Sequence, residues 1–428
     1  MPTSRHRSVA PSAARLTESL RDIGYDFPSA VADLVDNSVM AGAERVEVVI
    51  RFDGPQSMVF ICDDGAGMSP NGLVEALRFG SRRTYASSDL GRYGLGLKTA
   101  SLSQCRSVTV LSRREPKGPV AARELNLNTI LEFDEWLIIS PEKSHISAAR
   151  ALLGENRGTV VVWRELDRVL PERRPEGGWA KRRLELLTKK TASHLAMVFH
   201  RFLEGAAGAP LAIIVNGEKL TPWNPFAVDE EHTQRLGTQT FELAVGESVG
   251  RVRLERYVLP AKDDFSSPIR FDELSGPLKW NRQQGLYVYR GNRLVQWGGW
   301  AGIRGIDEHL KLARASLDFD TELDDLFHIN VAKMRVAVPA ELKQLLERPI
   351  NDLCISANHI YRERATKAPV VAERSRVPAS EGPITAMTGL ALRSAAVQAG
   401  EYEALKRIAD RLQDVAPDVW RALGFTDA

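Results

Sequence analysis

Alternating apolar and polar positions in the first eighty residues predict two helices, two strands and a third helix. Residues 12–22 and 28–42 predict a helix pair, and the second helix is amphipathic. The runs RVEVVIRF (45–52) and SMVFICDD (57–64) are β-rich and are separated by an Asp-Gly-Pro turn. A helix over 70–79 follows and leads into a polar stretch that contains several glycines.

The next part of the chain adds strands without a regular alternation with helices. SVTVLSR (107–113) and GTVVVWREL (158–166) predict two more strands, and a long basic helix over about 178–203 closes the first domain. Because strands and helices do not alternate regularly, the order favours an α+β layer over a doubly wound parallel sheet.

A second set of strands is expected in the second half of the chain. It opens with LAIIVNGEKL (211–220) and continues through VRLERYVLP (252–260) and GLYVYRGNRLV (285–295). FHINVAKMRV (327–336) then precedes a helix over about 339–362.

The C-terminal residues predict one more amphipathic helix. Leu405, Ile408, Leu412 and Val415 recur at three-four-three spacing. This pattern predicts a helix that packs on its own core, and a short dimer contact is the less favoured alternative.

These patterns divide the chain into five segments. They are a disordered basic arm (1–11), a first domain (12–205), a second domain (206–365), a linker rich in proline and charge (366–383) and a helical tail (384–428).

Composition and charge narrow the class of protein. The hydrophobic content of 43% and the charged content of 26% are typical of a soluble globular protein. The formal net charge of +2 gives no overall attraction to nucleic acid or anionic membranes, so any such contact needs a local patch. The three cysteines have no metal-ligand spacing. No apolar run approaches the roughly 18 residues that are needed to span a bilayer, and the first residues lack the apolar stretch of a signal peptide. We therefore expect a cytoplasmic protein with reduced thiols and no membrane contact.

The stretch VADLVDNSVMAG (31–42) contains the first candidate for chemistry. Asp33 and Asn37 are four residues apart and therefore project from the same face of the predicted helix. Taken alone, a polar helix face is more often simply solvated.

A second candidate is DDGAGM (63–68), at the end of an apolar strand. A strand that stops at a carboxylate and turns through two glycines lets the backbone approach a ligand closely. The alternative is a plain β-turn, in which Asp-Gly is common.

The third candidate is GRYGLGLKT (91–99). Its glycine amides, a helix N-terminus and Lys98 together form a natural polyphosphate cradle. Neither the P-loop nor the Rossmann glycine spacing fits, and a flexible glycine linker is the alternative.

In this order, the three motifs resemble those of the GHKL ATPases, the superfamily of DNA gyrase B, Hsp-type chaperone ATPases, MutL and histidine kinases. The chain is most similar to the MORC branch and its prokaryotic relatives. The resemblance implies a two-layer Bergerat-type ATP-binding domain with a mixed sheet and helices on one face. An α/β transducer-type domain and a small helical tail follow.

The resemblance also implies a role for each motif, with ATP and Mg²⁺ as cofactors. Asn37 matches the residue that holds Mg²⁺, and Asp33 occupies the position of the general base. Asp63 matches the acid that binds adenine, with Gly65, Gly67 and Met68 beside it. The implied phosphate-binding residues are Gly91, Gly94, Leu95, Gly96, Leu97, Lys98 and Thr99.

Two further matches lie outside these motifs. Gly158-Thr159 resembles the fourth nucleotide motif, whose threonine supports the adenine-binding acid. NVAKMRV resembles the transducer loop, so Lys333 is the implied contact to the γ-phosphate and the implied second catalytic residue. Such a lysine couples the nucleotide state to the angle between the domains.

One departure from the family pattern concerns the general base. The family has glutamate where this chain has Asp33, so the carboxylate reaches about 1.5 Å less far. A base must lie within hydrogen-bond reach of the proton that it takes, directly or through one water. The shorter acid therefore leaves three alternatives: slow hydrolysis, hydrolysis through a bridging water, or loss of hydrolysis with ATP binding retained. Asp36 is the alternative base, but it projects about 100° away from Asn37 around the helix.

The implied function is a Mg²⁺-ATP-dependent ATPase that dimerises as a clamp on double-stranded DNA, in repair, topology or defence. ATP would order a lid over about 80–97, and a nuclease or another effector would be a partner. Between Arg164 and Lys190, nine basic residues face five acidic ones, which is compatible with DNA binding and equally with a solvated helix. A protein kinase or an ATP-dependent chaperone or scaffold on the same fold is the alternative.

Overall fold

The computed structural model describes residues 11–22, 24–80, 96–171, 176–245, 248–328, 336–367, 392–396 and 401–423. The chain forms two compact units, Met1–Glu363 and Arg364–Ala428. The predicted basic arm falls outside the described residues except for Pro11, and the predicted linker does so beyond Lys367.

The first unit begins with a seven-stranded mixed sheet and its helices. The elements in chain order are α1 (Ala13–Arg21), α2 (Phe27–Met40), β1 (Arg45–Arg51), β2 (Met58–Asp63), α3 (Pro70–Leu77), α4 (Gly96–Leu102), β3 (Ser107–Arg113), β4 (Ala121–Asn126), α5 (Leu127–Phe133), α6 (Lys143–Leu153), β5 (Gly158–Arg164), α7 (Gly178–Val198), α8 (His200–Leu203), β6 (Ala212–Val215) and β7 (Glu218–Lys219). The strand order is β4-β3-β5-β2-β1-β6-β7, and β1 pairs with β6 in parallel. The predicted α+β class with a mixed sheet is confirmed.

Strand alternation separates two apolar faces of this sheet. Val59 and Ile61 of β2 lie in the large core, together with apolar residues of α2, α3, α4 and α7. Phe60, between them, lies in a smaller cluster with Ile146 and Leu153 of α6. The main helical layer therefore covers one face, as expected, and α6 covers part of the opposite face.

The long helix predicted over about 178–203 is present as α7 and α8, with a break at Phe199. One sequence-based prediction in this region is wrong. The segment 211–220 does not open the second sheet, because its strand β6 pairs with β1 from Arg45 to Val48. The apolar run of β6 is buried against the first core, and nothing in its composition distinguishes the two sheets.

The second sheet has five strands in the order β11-β10-β12-β9-β8. Its elements in chain order are β8 (Gln234–Val245), β9 (Ser248–Val258), α9 (Pro268–Leu274), α10 (Lys279–Gln283), β10 (Gly285–Arg290), β11 (Arg293–Trp297), β12 (Ala313–Phe319) and α11 (Ala340–Lys367). Strand β10 pairs with β12 in parallel, and the other neighbours are antiparallel. The boundary near residue 205 between an ATPase part and a transducer part remains a prediction.

The two sheets of the first unit are joined by buried polar contacts. His200 Nε2 lies 2.8 Å from the Tyr289 hydroxyl, and the Arg201 guanidinium lies over the Tyr289 ring at 3.5 Å from its centroid. Arg201 also pairs with Asp318 of β12. The side chain of Trp297 packs against both hydrophobic cores, so β11 lies at the junction of the two sheets.

His194 at this junction gives the fold a dependence on pH. Burial, and next the Arg293 cation, lower the pKa of His194 from 6.5 to about 4. Between these pH values His194 is protonated in the unfolded chain but not in the folded protein. The contribution of the neutral His194 to the free energy of unfolding is therefore fully present above pH 6.5 and is lost as the pH falls toward 4. Replacing His194 by Gln is expected to remove about 2 kcal/mol of the acid destabilisation measured by urea unfolding at pH 7 and pH 4. His309→Gln, at an exposed site, is the control, and an unchanged pH dependence in His194→Gln would contradict the assignment.

The second unit contains the helices Tyr402–Val415 and Pro417–Ala422. The helix predicted in the tail is therefore present. Its apolar stripe is not covered as expected, since Ile408 and Val415 are 63% and 76% exposed. Of the described residues of the helix Tyr402–Val415, Ala409 is the one that is buried.

No helix in the described ranges is long and apolar enough to cross a membrane.

Candidate functional site

Helix α2 carries the centre of the site. Asp26 caps its N-terminus by accepting a hydrogen bond from the Ser29 amide at 2.8 Å, and Pro28 occupies the first turn. Apolar residues bury the helix against the sheet, so most of its side chains are inaccessible. Asp33 is buried to 2% exposure, whereas Asn37 one turn later is exposed. The helix therefore presents an exposed carboxamide beside a buried acid.

Asp33 is held by groups from two other elements. The Tyr25 hydroxyl donates a 2.6 Å hydrogen bond to Asp33 Oδ2, and Thr99 of α4 hydrogen-bonds the same hydroxyl. Burial, and next the Asp33 carboxylate, raise the pKa of Tyr25. Gly96 lies against Asp33, because a side chain there would meet Oδ2 at 3.2 Å. The first residue of α4 thus adjoins the acid at the expected general-base position.

Asp63 lies at the end of β2, where three donors fix its carboxylate. Ser38 Oγ donates to Oδ2 at 3.0 Å, and the Gly65 amide donates to Oδ1 at 3.0 Å. The Thr159 amide also donates to this carboxylate, and the supporting role expected for Thr159 in nucleotide binding stays a prediction. Burial raises the pKa of Asp63 in spite of these donors.

The turn after Asp63 requires glycine. Gly67 has a φ of +65°, and a Cβ there would overlap the backbone carbonyl of Arg113. A Cβ on Gly65 would lie 2.8 Å from that of Ala41 at the end of α2. Next to the turn, the Met68 amide donates to Ser112 Oγ at 2.7 Å. This close packing brings the backbone of the turn against α2 and β3.

Lys98 is placed differently from the simplest expectation. Its side chain is buried, and Nζ donates to the carbonyls of Ala76 and Arg78 at 2.9 and 2.8 Å. Burial lowers the pKa of Lys98 to about 8, partly offset by Glu75. The ammonium group therefore caps the C-terminal end of α3, and its contact to phosphate remains a prediction.

The other expected phosphate contacts are described only in part. Leu97 packs against the first core, and Thr99 is buried beside Tyr25. Gly91, Gly94, Leu95 and Lys333, as well as most of the expected lid, lie outside the described residues.

Within the first unit, α2 brings the expected base and the expected adenine acid into one row. Asp33 adjoins Gly96, Asn37 is exposed, and Ser38 binds Asp63. From Asp33 to Ser38 the helix rises about 7.5 Å. The expected general base and the residue that holds the expected adenine acid are therefore more than one turn apart on the same helix.

The residues present fit a magnesium ion held mainly by phosphate. The exposed Asn37 offers one oxygen ligand, and the described residues contain no group of three or more His, Cys, Asp or Glu arranged for a metal. Mg²⁺ commonly takes one or two protein ligands and completes its shell with phosphate and water. Asn37 would thus be the protein ligand.

Arg293 and Tyr25 belong to the site but do not appear in the sequence-based assignment. Arg293 Nε donates to Asp36 at 2.8 Å, and Nη2 lies 3.8 Å from Asp33 Oδ1. Asp36, the alternative base, is buried in this ion pair. Arg293 lies 257 positions from Asp36 in the chain, so no local pattern could have indicated the contact.

Comparison with known proteins identifies the family of the site. The family described as "Histidine kinase-, DNA gyrase B-, and HSP90-like ATPase" matches residues 25–159. ATPase MORC2B of Mus musculus is 33% identical over 91 residues, which cover 20% of this chain and 9% of that protein. DNA mismatch repair protein MutL of Paramagnetospirillum magneticum is 36% identical over 101 residues, which cover 23% of this chain and 16% of that protein.

The solved "Crystal Structure of N terminal domain of a DNA repair protein" is 15% identical, with a TM-score of 0.46, and the match covers 82% of this chain and 98% of that one. The chain spans less than a fifth of the length of the two curated relatives. Residues 25–159, which contain α2, Asp63 and Gly96, are therefore a GHKL-type ATPase domain, and the chain is similar to proteins of the MORC and MutL branch.

Proposed function

We propose that this protein is a Mg²⁺-dependent ATPase that uses ATP-driven dimerisation as a clamp on DNA. One observation carries the ATPase part of the proposal. Helix α2 places Asp33 beside Gly96, exposes Asn37 and holds Asp63 through Ser38. The proposed general base and the proposed metal ligand therefore lie on one helix, which also holds the proposed adenine acceptor of β2 through Ser38.

Each of these residues has a defined task in the proposed reaction. Asp63 accepts a hydrogen bond from the adenine amino group, and Gly65 and Gly67 let the ring approach the backbone. Asn37 would hold Mg²⁺, which neutralises phosphate charge when bound. Asp33 takes a proton from the attacking water, and Tyr25 keeps its carboxylate oriented.

The DNA part of the proposal has two kinds of support. One relative is named as a DNA mismatch repair protein, and it is 36% identical to this chain over 101 residues. In addition, Lys181, Arg182, Lys189 and Lys190 are exposed on α7. A basic helix face can bind the phosphate backbone without sequence preference.

The clamp and its DNA contact can be tested together by light scattering and fluorescence anisotropy. With Mg²⁺ and a non-hydrolysable ATP analogue, the mass is expected to double, and duplex DNA is expected to bind the dimer more tightly than the monomer. Lys189→Glu/Lys190→Glu is expected to lower the slope of log affinity against log salt by about 2, because two phosphate contacts are lost.

The matched control is Lys117→Glu/Lys143→Glu, which changes two exposed lysines away from α7. It is expected to leave the salt slope unaltered. Equal slopes in both double variants would remove α7 from the DNA contact. An unchanged mass with the ATP analogue would contradict the clamp.

A further inference from the structure

Arg293 brings a buried positive charge from the second sheet into the first. It begins β11, and its side chain is only 4% exposed. The guanidinium binds Asp36 at 2.8 Å and lies 3.8 Å from Asp33 Oδ1. It also lies 5.9 Å from the centre of the buried Phe199 ring.

The charges at this point require a cation. Asp33 and Asp36 are within one turn of α2, and both are buried to 2% exposure or less. Two buried carboxylates without a positive partner repel each other and cannot both remain ionised. Because an arginine stays protonated at every accessible pH, Arg293 supplies a permanent positive charge beside both acids.

Asp33 is also held between two different parts of the protein. Tyr25, which precedes α2, donates to Oδ2, whereas Arg293 of β11 approaches Oδ1. The two oxygens of one carboxylate therefore face groups from the first and the second sheet. A shift of β11 relative to α2 changes one of these contacts and leaves the other in place.

We propose that Arg293 is a positioning residue that orients Asp33 for hydrolysis and couples the general base to the position of the second sheet. The inference rests on the proposed ATPase function and deepens it. The second sheet thus acts on Asp33 directly, through a contact that does not involve the nucleotide.

The neighbouring side chains give the coupling a mechanical basis. Trp297, at the other end of β11, packs against both hydrophobic cores and lies 5.6 Å from the His194 ring of α7. Strand β11 is therefore anchored in both parts of the unit, so a rotation between the sheets is transmitted to Arg293.

Steady-state kinetics of Arg293→Gln and Arg293→Lys test the proposal. Arg293→Gln is expected to lower kcat by about 10- to 100-fold, the usual effect of losing an orienting contact. ATP affinity, measured by titration, is expected to stay within about twofold, because Asp63 and Asn37 are untouched. Arg293→Lys keeps the charge but not the fork of donors, so it is expected to restore part of kcat.

The matched control is Arg290→Gln, in the same hairpin. Arg290 is equally buried and forms an ion pair of its own with Asp324 at 2.6 Å. Its loss is expected to lower thermal stability as much as the loss of Arg293 while leaving kcat close to that of the wild type. If Arg293→Gln does not fold, the reduced kcat of Arg293→Lys with unchanged ATP affinity carries the test.

The outcomes separate the inference from the proposed function. Unchanged or increased kcat in the Arg293 variants, or an equal loss in Arg290→Gln, would overturn the positioning role while the ATPase stands. A wild type that binds ATP without releasing phosphate would overturn the ATPase function and the inference with it.

Discussion

Replacement of Asp33 by Asn is expected to lower phosphate release from Mg-ATP by about 10²- to 10⁴-fold. The side chain keeps its size and can still meet the Tyr25 hydroxyl, but an amide cannot take a proton from water. ATP affinity is expected to change little, because the adenine acceptor Asp63 is unaltered. The measurement is phosphate release with and without duplex DNA, together with ATP titration of each variant.

Asp36→Asn is the informative companion to this substitution. Asp36 is buried and bound to Arg293, so we do not expect it to reach a water molecule. Its replacement should reduce turnover less than that of Asp33. If Asp36→Asn abolishes turnover and Asp33→Asn does not, the base has been assigned to the wrong acid. Equal, negligible rates in the wild type and both variants would indicate a nucleotide-binding switch without hydrolysis.

Replacement of Asp63 by Asn is expected to weaken ATP binding by about 10- to 100-fold. Both carboxylate oxygens already accept hydrogen bonds, from Ser38 and from the Gly65 amide. An amide nitrogen at either position meets a donor, so the side chain turns or loses a contact, and the adenine acceptor is displaced. Isothermal titration with ATP and with GTP measures both the loss of affinity and the loss of preference for adenine.

Asp64→Asn is the control, because it changes the adjacent acid. Asp64 Oδ1 accepts hydrogen bonds from the Glu44 and Arg45 amides at 2.9 Å, so its side chain is bound at the start of β1 and not to the donors that hold Asp63. This variant is expected to bind ATP as the wild type does. Equal weakening in both variants would show that the turn, and not the Asp63 acceptor, limits binding.

The elements that carry the motifs were predictable because each has a strong local signal. The strand over 107–113 was placed without error, and α2 and β1 differ from expectation by one or two residues. Helix α6 over Lys143–Leu153 and strand β12 over Ala313–Phe319 were not foreseen. Both elements are buried by contacts with strands that are distant in sequence, and a local sequence pattern does not show such contacts.

The site was predictable where its residues are close in sequence. Asp33 and Asn37 share one helix face, and Asp63 ends a strand before a glycine turn. Tyr25 and Arg293 escaped because their roles depend on tertiary placement. Lys98 shows a further limit of the sequence, because its ammonium group donates to the carbonyls at the end of α3, and no local pattern indicated these contacts.

The return of β6 to the first sheet determines where the polypeptide can be cut. A fragment that stops at residue 205 lacks β6, so β1 becomes an edge strand of the sheet. The backbone N–H and C=O groups of this apolar strand are then exposed. The fragment also lacks Asn216, whose side chain bonds both the amide and the carbonyl of Ile50. Exposed edge strands pair with strands of other molecules, which leads to aggregation. Recombinant work on the ATPase region alone therefore needs the chain through Lys219.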